Sequence, residues 1–124
     1  MRPRQFTLMS LLEEAEKNHG IQPSVRLTIA QLLLEANQEF SARIAIRLLK
    51  PVYPLLLQEP DRFRFRLMAG FLGKAHRRLR SKTNADFWFA LSHGKDRALD
   101  GIERRFDVVP AQPKERDKKS PVQP

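Results

Sequence analysis

The stretch LMAGFLGKAHRRLRSKTNADFWFALSHGK, residues 67–95, carries the clearest structural signal in the chain. Met68, Phe71, Leu72, Ala75 and Leu79 recur between Leu67 and Arg80 at the spacing that lines up one face of an α-helix. Lys74, Arg77 and Arg78 fall on another face. A break follows, and Asn84 stands where a capping residue would open a short helix from Ala85 to Ser92. Gly94 then occupies the place of a left-handed C-terminal cap. The expectation is a basic amphipathic helix, a short break and an aromatic helix.

Outward from this pair the same periodicity recurs. TLMSLLEEAEKNHG (7–20) places Leu8, Leu11, Leu12 and Ala15 on one face, and Gly20 ends the run. PSVRLTIAQLLLEANQ (23–38) repeats the pattern through Val25, Ile29, Leu32 and Leu33. SARIAIRLLKPVYPLLLQ (41–58) is apolar enough for a core helix, which Pro51 and Pro54 must kink or split. RFRFRLM (62–68) alternates as a strand does and receives no assignment. Downstream, RALDGIERRFDV (97–108) sets Asp100-Gly101 between two short segments, the signature of a tight β-hairpin. The fold class expected is mostly α within α+β, a compact helical domain with a small C-terminal β-hairpin.

At 124 residues the chain has room for one domain. That domain is expected over 1–110, with 111–124 a disordered basic tail, because KERDKKSPVQP (114–124) has too little apolar surface to offset the entropy of ordering. Cysteine is absent, which removes disulfides and thiolate metal sites. The apolar stretch at the N-terminus is short and runs into acids, unlike a signal peptide, and no run reaches the length of a membrane span. A cytoplasmic protein with no membrane partner is expected. A monomer is the simplest expectation, the oligomeric state staying open.

Charge is unevenly placed. The net charge is +9, yet residues 1–60 hold seven Lys/Arg against six Asp/Glu, while residues 61–124 hold sixteen against eight. From Arg62 to Lys82 there are eight basic residues and no acid. Such a block makes a local positive field that attracts polyanions. Nucleic acid is the leading partner, against an acidic protein surface, anionic lipid, or a merely solubilising face.

Lys74, Arg77 and Arg78 bring their charged ends together on one helix, an arrangement suited to phosphates. Phe87, Trp88 and Phe89 point in different directions on a helix, so at least one belongs to the core. Either all three pack, or one exposed ring beside Arg97 stacks on a base or ribose. Catalytic chemistry finds no support. His19, His76 and His93 are scattered, and the latter two, set among cations, read as phosphate or solvent contacts. Glu13, Glu14 and Glu16 read as ordinary helix acids, and AGFLGK lacks the spacing of a phosphate-binding loop. No enzyme activity, cofactor or metal is expected.

FLGKAHRRLRSKTNADFWFALSHGKDRALDGIERRFDV (71–108) resembles the closing section of the ProQ/FinO RNA-chaperone domain, in which a basic helix, a short break, an aromatic helix, a glycine turn, an arginine and a hairpin succeed one another. ARIAIRLLKPVYPLLLQ (42–58) is similar to that family's earlier helix, with Ala45 in place of its glycine. The resemblance implies an RNA contact at Arg97, a ring at Phe87 where the family has tyrosine, a basic contact at Arg43, and further contacts from Lys74 to Arg80. With the remaining cations of the basic run and the glycine turn, the expected RNA surface comprises Arg43, Lys74, Arg77, Arg78, Arg80, Lys82, Phe87, His93, Lys95 and Arg97. The implied partners are small RNAs and mRNA 3′ ends, bound as terminator-like hairpins with a single-stranded 3′ tail, in post-transcriptional regulation in a bacterial cytoplasm. Two rival readings are a helical DNA-binding regulator, with 67–80 as its recognition helix, and a small helical subunit lining a nucleic-acid channel of a larger complex.

Overall fold

The computed structural model describes residues 7–95, 99 and 101–107. It is mostly helical: α1 (Thr7–His19), α2 (Pro23–Glu35), α3 (Glu39–Leu49), α4 (Tyr53–Leu57), α5 (Phe63–Arg78) and α6 (Lys82–Ser92), with short 3-10 segments at Lys50–Val52 and Ile102–Phe106. No strand occurs among the described residues. No helix there is long and apolar enough to cross a membrane.

Helix α5 is the spine, packed chiefly against α6 and also against α3 and α2. Its predicted stripe is buried, and Phe65 extends it by a turn. The alternating RFRFRLM is therefore helical. Phe65, Met68, Ala69 and Leu72 continue one helical face, while Phe63 points outward. The Asp61 carboxylate accepts the Phe63 N–H at 2.7 Å, satisfying one free donor of the first turn.

Both α5 and α6 end in Schellman closures. After α6, the Gly94 N–H reaches the Leu91 carbonyl and the Lys95 N–H reaches that of Ala90, with Gly94 at φ 81° as expected. After α5, the Arg80 N–H reaches Arg77 and the Ser81 N–H reaches His76. The left-handed residue here is Arg80, at φ 63°. Helix α6 opens one turn earlier than expected, and Asn84 is not its cap. Asn84 is buried in the first turn, donating from Nδ2 to the Asp107 carbonyl at 3.0 Å.

Four expectations are corrected. Gly101 has the positive φ of a turn, 73°, but a 3-10 helix follows where the hairpin's second strand was placed. Ile102 and Phe106, one at each end of this segment, enter the core from it. Of the hairpin's first half, Arg97, Ala98 and Asp100 lie outside the described residues, as does the tail from 111, while Leu99 packs against the core and its carbonyl accepts the Ile102 N–H at 3.0 Å. Helix α2 buries Leu27, Ala30 and Leu34, leaving Val25 and Leu32 exposed, so its core face is turned from the predicted one. On α1, Leu12 is buried but Leu11 is 64 % exposed. Glu16 is no ordinary helix acid: it takes two bonds from Arg26, Nε at 3.0 Å and Nη2 at 2.7 Å, while Arg26 Nη1 reaches the Leu48 carbonyl at 2.9 Å. This buried pair ties α1, α2 and α3 together. Pro51 and Pro54 do split the third apolar stretch, into α3, a 3-10 turn and α4.

Candidate nucleic-acid interface

The second half of α5 and the start of α6 bring four of the predicted cations to one region. Lys74, Arg77, Arg80 and Lys82 are all exposed. The i, i+3 spacing on α5 sets Lys74 beside Arg77, and the turn carries Arg80 toward the first residue of α6. Asp86, one turn along α6, pairs with Lys82 at 2.8 Å, so this cation does have an acidic neighbour.

Two clefts flank this row. One, of about 520 Å³, lies between α2 and α5, with Lys74, Arg77 and Arg78 on the α5 side and Gln31, Glu35 and Asn37 opposite, so it too holds one carboxylate. The second, of about 320 Å³, lies between α5 and α6 and is lined by Arg77, Arg80, Lys82, Ala85, Asp86 and Phe89. Arg77 belongs to both. Its guanidinium lies 4.9 Å from the centre of the Phe89 ring, a cation–π contact that holds a flexible side chain in place. Phe89 can sit there only because position 73 is glycine: a Cβ on Gly73 would stand 2.6–2.8 Å from three of its ring carbons.

The other predicted residues part company. Arg78 lines the α2/α5 cleft as well, but it is half-buried and its Nη1 donates to the Leu34 carbonyl at 2.8 Å, bracing α5 against the end of α2. Arg43 lies on α3 in a different groove of about 450 Å³, with Phe40, Arg47, Lys50, Phe106 and Asp107, and shares no lining residue with the other two clefts. His93 and Lys95 are exposed at the far end of α6, about 16 Å of helix from Lys82. Arg97 lies outside the described residues.

The aromatic assignment is corrected as well. Phe87 is only 7 % exposed. Its ring meets Trp88 edge-on at 5.2 Å, and the Arg105 guanidinium lies 4.7 Å from its centre, so no face is open to a base. Trp88 is fully buried and donates from Nε1 to the Arg105 carbonyl at 2.8 Å. Phe89, half-buried, is the ring of the three that reaches the basic clefts. The sequence held a trace of this, since Lys82, Ala85, Asp86 and Phe89 recur at i, i+3, i+4 and i+7.

His76 contacts neither phosphate nor solvent. It is fully buried, neither ring nitrogen has a hydrogen-bond partner of good geometry among the described residues, and burial, only partly offset by the nearby Arg105 carbonyl and Asp107 carboxylate, pushes its pKa down to about 4, so it is neutral at pH 7. Comparison with protein-family models, characterised proteins and solved structures finds no match to the chain.

Proposed function

We propose that this chain is an RNA-binding protein acting as an RNA chaperone, with α5, the following turn and the start of α6 as its main contact surface. The observation that carries the reading is the exposed row Lys74, Arg77, Arg80 and Lys82 set around two clefts that share Arg77. Arg80 adds weight, because a charged side chain is held at a left-handed backbone position that glycine fills more easily, and such strain gathers at functional sites. The likeness to the ProQ/FinO domain supports RNA over DNA, through the order of basic helix, break, aromatic helix and glycine turn. In that reading Arg43 and Arg97 add contacts, and His93 and Lys95 extend the surface. A-form RNA offers phosphates and 2′-hydroxyls rather than a readable major groove, so such a surface selects shape: a hairpin with a single-stranded 3′ tail. The protein acts by binding in the bacterial cytoplasm, protecting RNA or promoting pairing of small RNAs with mRNA, without catalysis or a cofactor.

The test compares affinities for a U-tailed hairpin, its blunt counterpart and a duplex DNA at one salt concentration. The tailed hairpin should bind tightest and lose affinity steeply with salt. Preference for duplex DNA would favour the regulator, and indifference among the three would remove the chaperone reading.

A second reading has its own observation. Leu11, Val25 and Leu32 leave apolar surface exposed on α1 and α2, with Leu32 at 61 %. That suits a subunit whose first two helices are covered by a neighbour in a larger nucleic-acid complex. A chain that stays monomeric and soluble at high concentration while binding hairpins at full affinity would speak against it.

A further inference from the structure

Within the α5/α6 cleft one residue fits a phosphate site poorly. Arg77, Arg80 and Lys82 suit an anion, but Asp86 brings a carboxylate into the same space. Its partner Lys82 is exposed, the two side chains being 85 % and 63 % accessible, and such an i, i+4 pair adds little to the fold. Lys82 can therefore turn to a phosphate at little cost to stability, which leaves the Asp86 oxygens as free acceptors. Beside them the Arg77 guanidinium, backed by the Phe89 ring beneath it, offers its outer face as a flat, cationic stacking surface. A cleft with a stacking surface, cations around it and one acceptor-only group has the chemistry of a nucleobase site rather than of a phosphate site alone.

The acceptor also selects the base. A carboxylate presents two oxygens and no donor. Guanine offers two adjacent donors, N1–H and N2–H, on its Watson–Crick edge. Uracil offers one donor between carbonyls, while adenine and cytosine set an amino group beside a lone pair that the carboxylate repels. We propose that the α5/α6 cleft binds one unpaired guanine of an RNA strand. The base stacks on the outer face of the Arg77 guanidinium, which Phe89 holds flat from beneath, its Watson–Crick edge lies on Asp86, and its flanking phosphates lie on Arg80 and Lys82.

The proposal rests on the RNA-binding reading, and the experiment separates the two. The RNA pentamers UUGUU, UUAUU, UUCUU, UUUUU and the inosine form UUIUU, which keeps N1–H and lacks the amino group, are titrated against the full chain alongside the tailed hairpin. UUGUU should bind about tenfold tighter than the other standard pentamers, with UUIUU between, the scale of one paired contact set. Asp86→Asn should collapse the guanine preference without weakening UUAUU. Phe89→Leu, which keeps an apolar side chain against Gly73, should weaken UUGUU about tenfold. It should also abolish the fluorescence change of thienoguanosine, a guanine analogue that keeps both the N1–H and N2–H donors, placed at the central position, a signature that loss of charge does not produce. A hairpin that binds in an Arg77-dependent way while the pentamers bind alike, or a guanine preference that survives Asp86→Asn, overturns the guanine site and leaves the RNA-binding reading standing. Absence of binding to hairpin and pentamers alike overturns both.

Discussion

Arg80 at φ 63° and His76 in the core show two ways in which one side chain can work against the fold. A side chain in the left-handed region costs about 1–2 kcal/mol, and glycine gives part of that back by loosening the unfolded chain. Arg80→Gly should therefore raise the unfolding free energy by roughly 0.5–1 kcal/mol while lowering hairpin affinity. Denaturant melts and RNA titrations on the same preparation check both signs. For His76 the folded pKa, about 4, lies below the unfolded value near 6.5. Below that unfolded value the unfolded chain takes up a proton that the folded chain refuses, so stability falls as pH drops from about 6.5 to about 4, by about 3 kcal/mol in all. Glu16, held below the ordinary carboxylate range by its bond from Arg26, loses its contribution only at lower pH, so the two windows separate. His76→Leu should flatten the upper window, as read from urea midpoints across that range.

Between elements, two contacts set the arrangement. The Arg26–Glu16 pair, with its bond to the Leu48 carbonyl, joins the first three helices. Arg26→Ala should cost about 3–5 kcal/mol, because the Glu16 charge is left buried without its partner, whereas Arg26→Met with Glu16→Leu should recover much of that loss. Gly73 sets the close approach of α5 to Phe89 on α6. Gly73→Ala should cost about 1–3 kcal/mol and displace Phe89, seen as a lower melting temperature and weaker binding of single strands. The parts legible in the sequence were those in which one local rule acted unopposed: the α5 stripe, the Gly94 cap, and the split at Pro51 and Pro54. Helix α2 misled because it carries two apolar arcs, Val25, Ile29, Leu32 and Leu33 on one side and Leu27, Ala30 and Leu34 on the other, and the second, with the buried Arg26 at its edge, is the inner face. Phe87, Trp88 and Phe89 gave three directions and no way to choose, since what turns Phe87 inward is Arg105, eighteen positions on. The basic surface was legible as charge. Its division into two clefts sharing Arg77 was not, because that depends on where α2 ends against α5.

For the whole molecule, charge and position coincide: the half of the sequence with the positive excess supplies every cation of both clefts, while the near-neutral half, with α1 and α2, contributes only one wall of the α2/α5 cleft. On the proposed reading RNA is drawn toward the α5/α6 end, and the salt dependence of its binding should count the phosphates held there. Arg77→Ala with Arg80→Ala should reduce the slope of log K against log salt by roughly 1.5, while Arg78→Ala should mainly lower stability because its bond to Leu34 is structural. The shared Arg77 also has a kinetic consequence. A strand lying across both clefts has one anchor common to two half-sites, so it leaves in stages rather than at once. While one cleft is briefly vacated, an incoming strand can occupy it before the first has gone. Release of a labelled RNA should then quicken as unlabelled competitor is raised, where a single closed site gives a constant off-rate. Exchange of that kind lets a protein hand one strand to another without leaving either free.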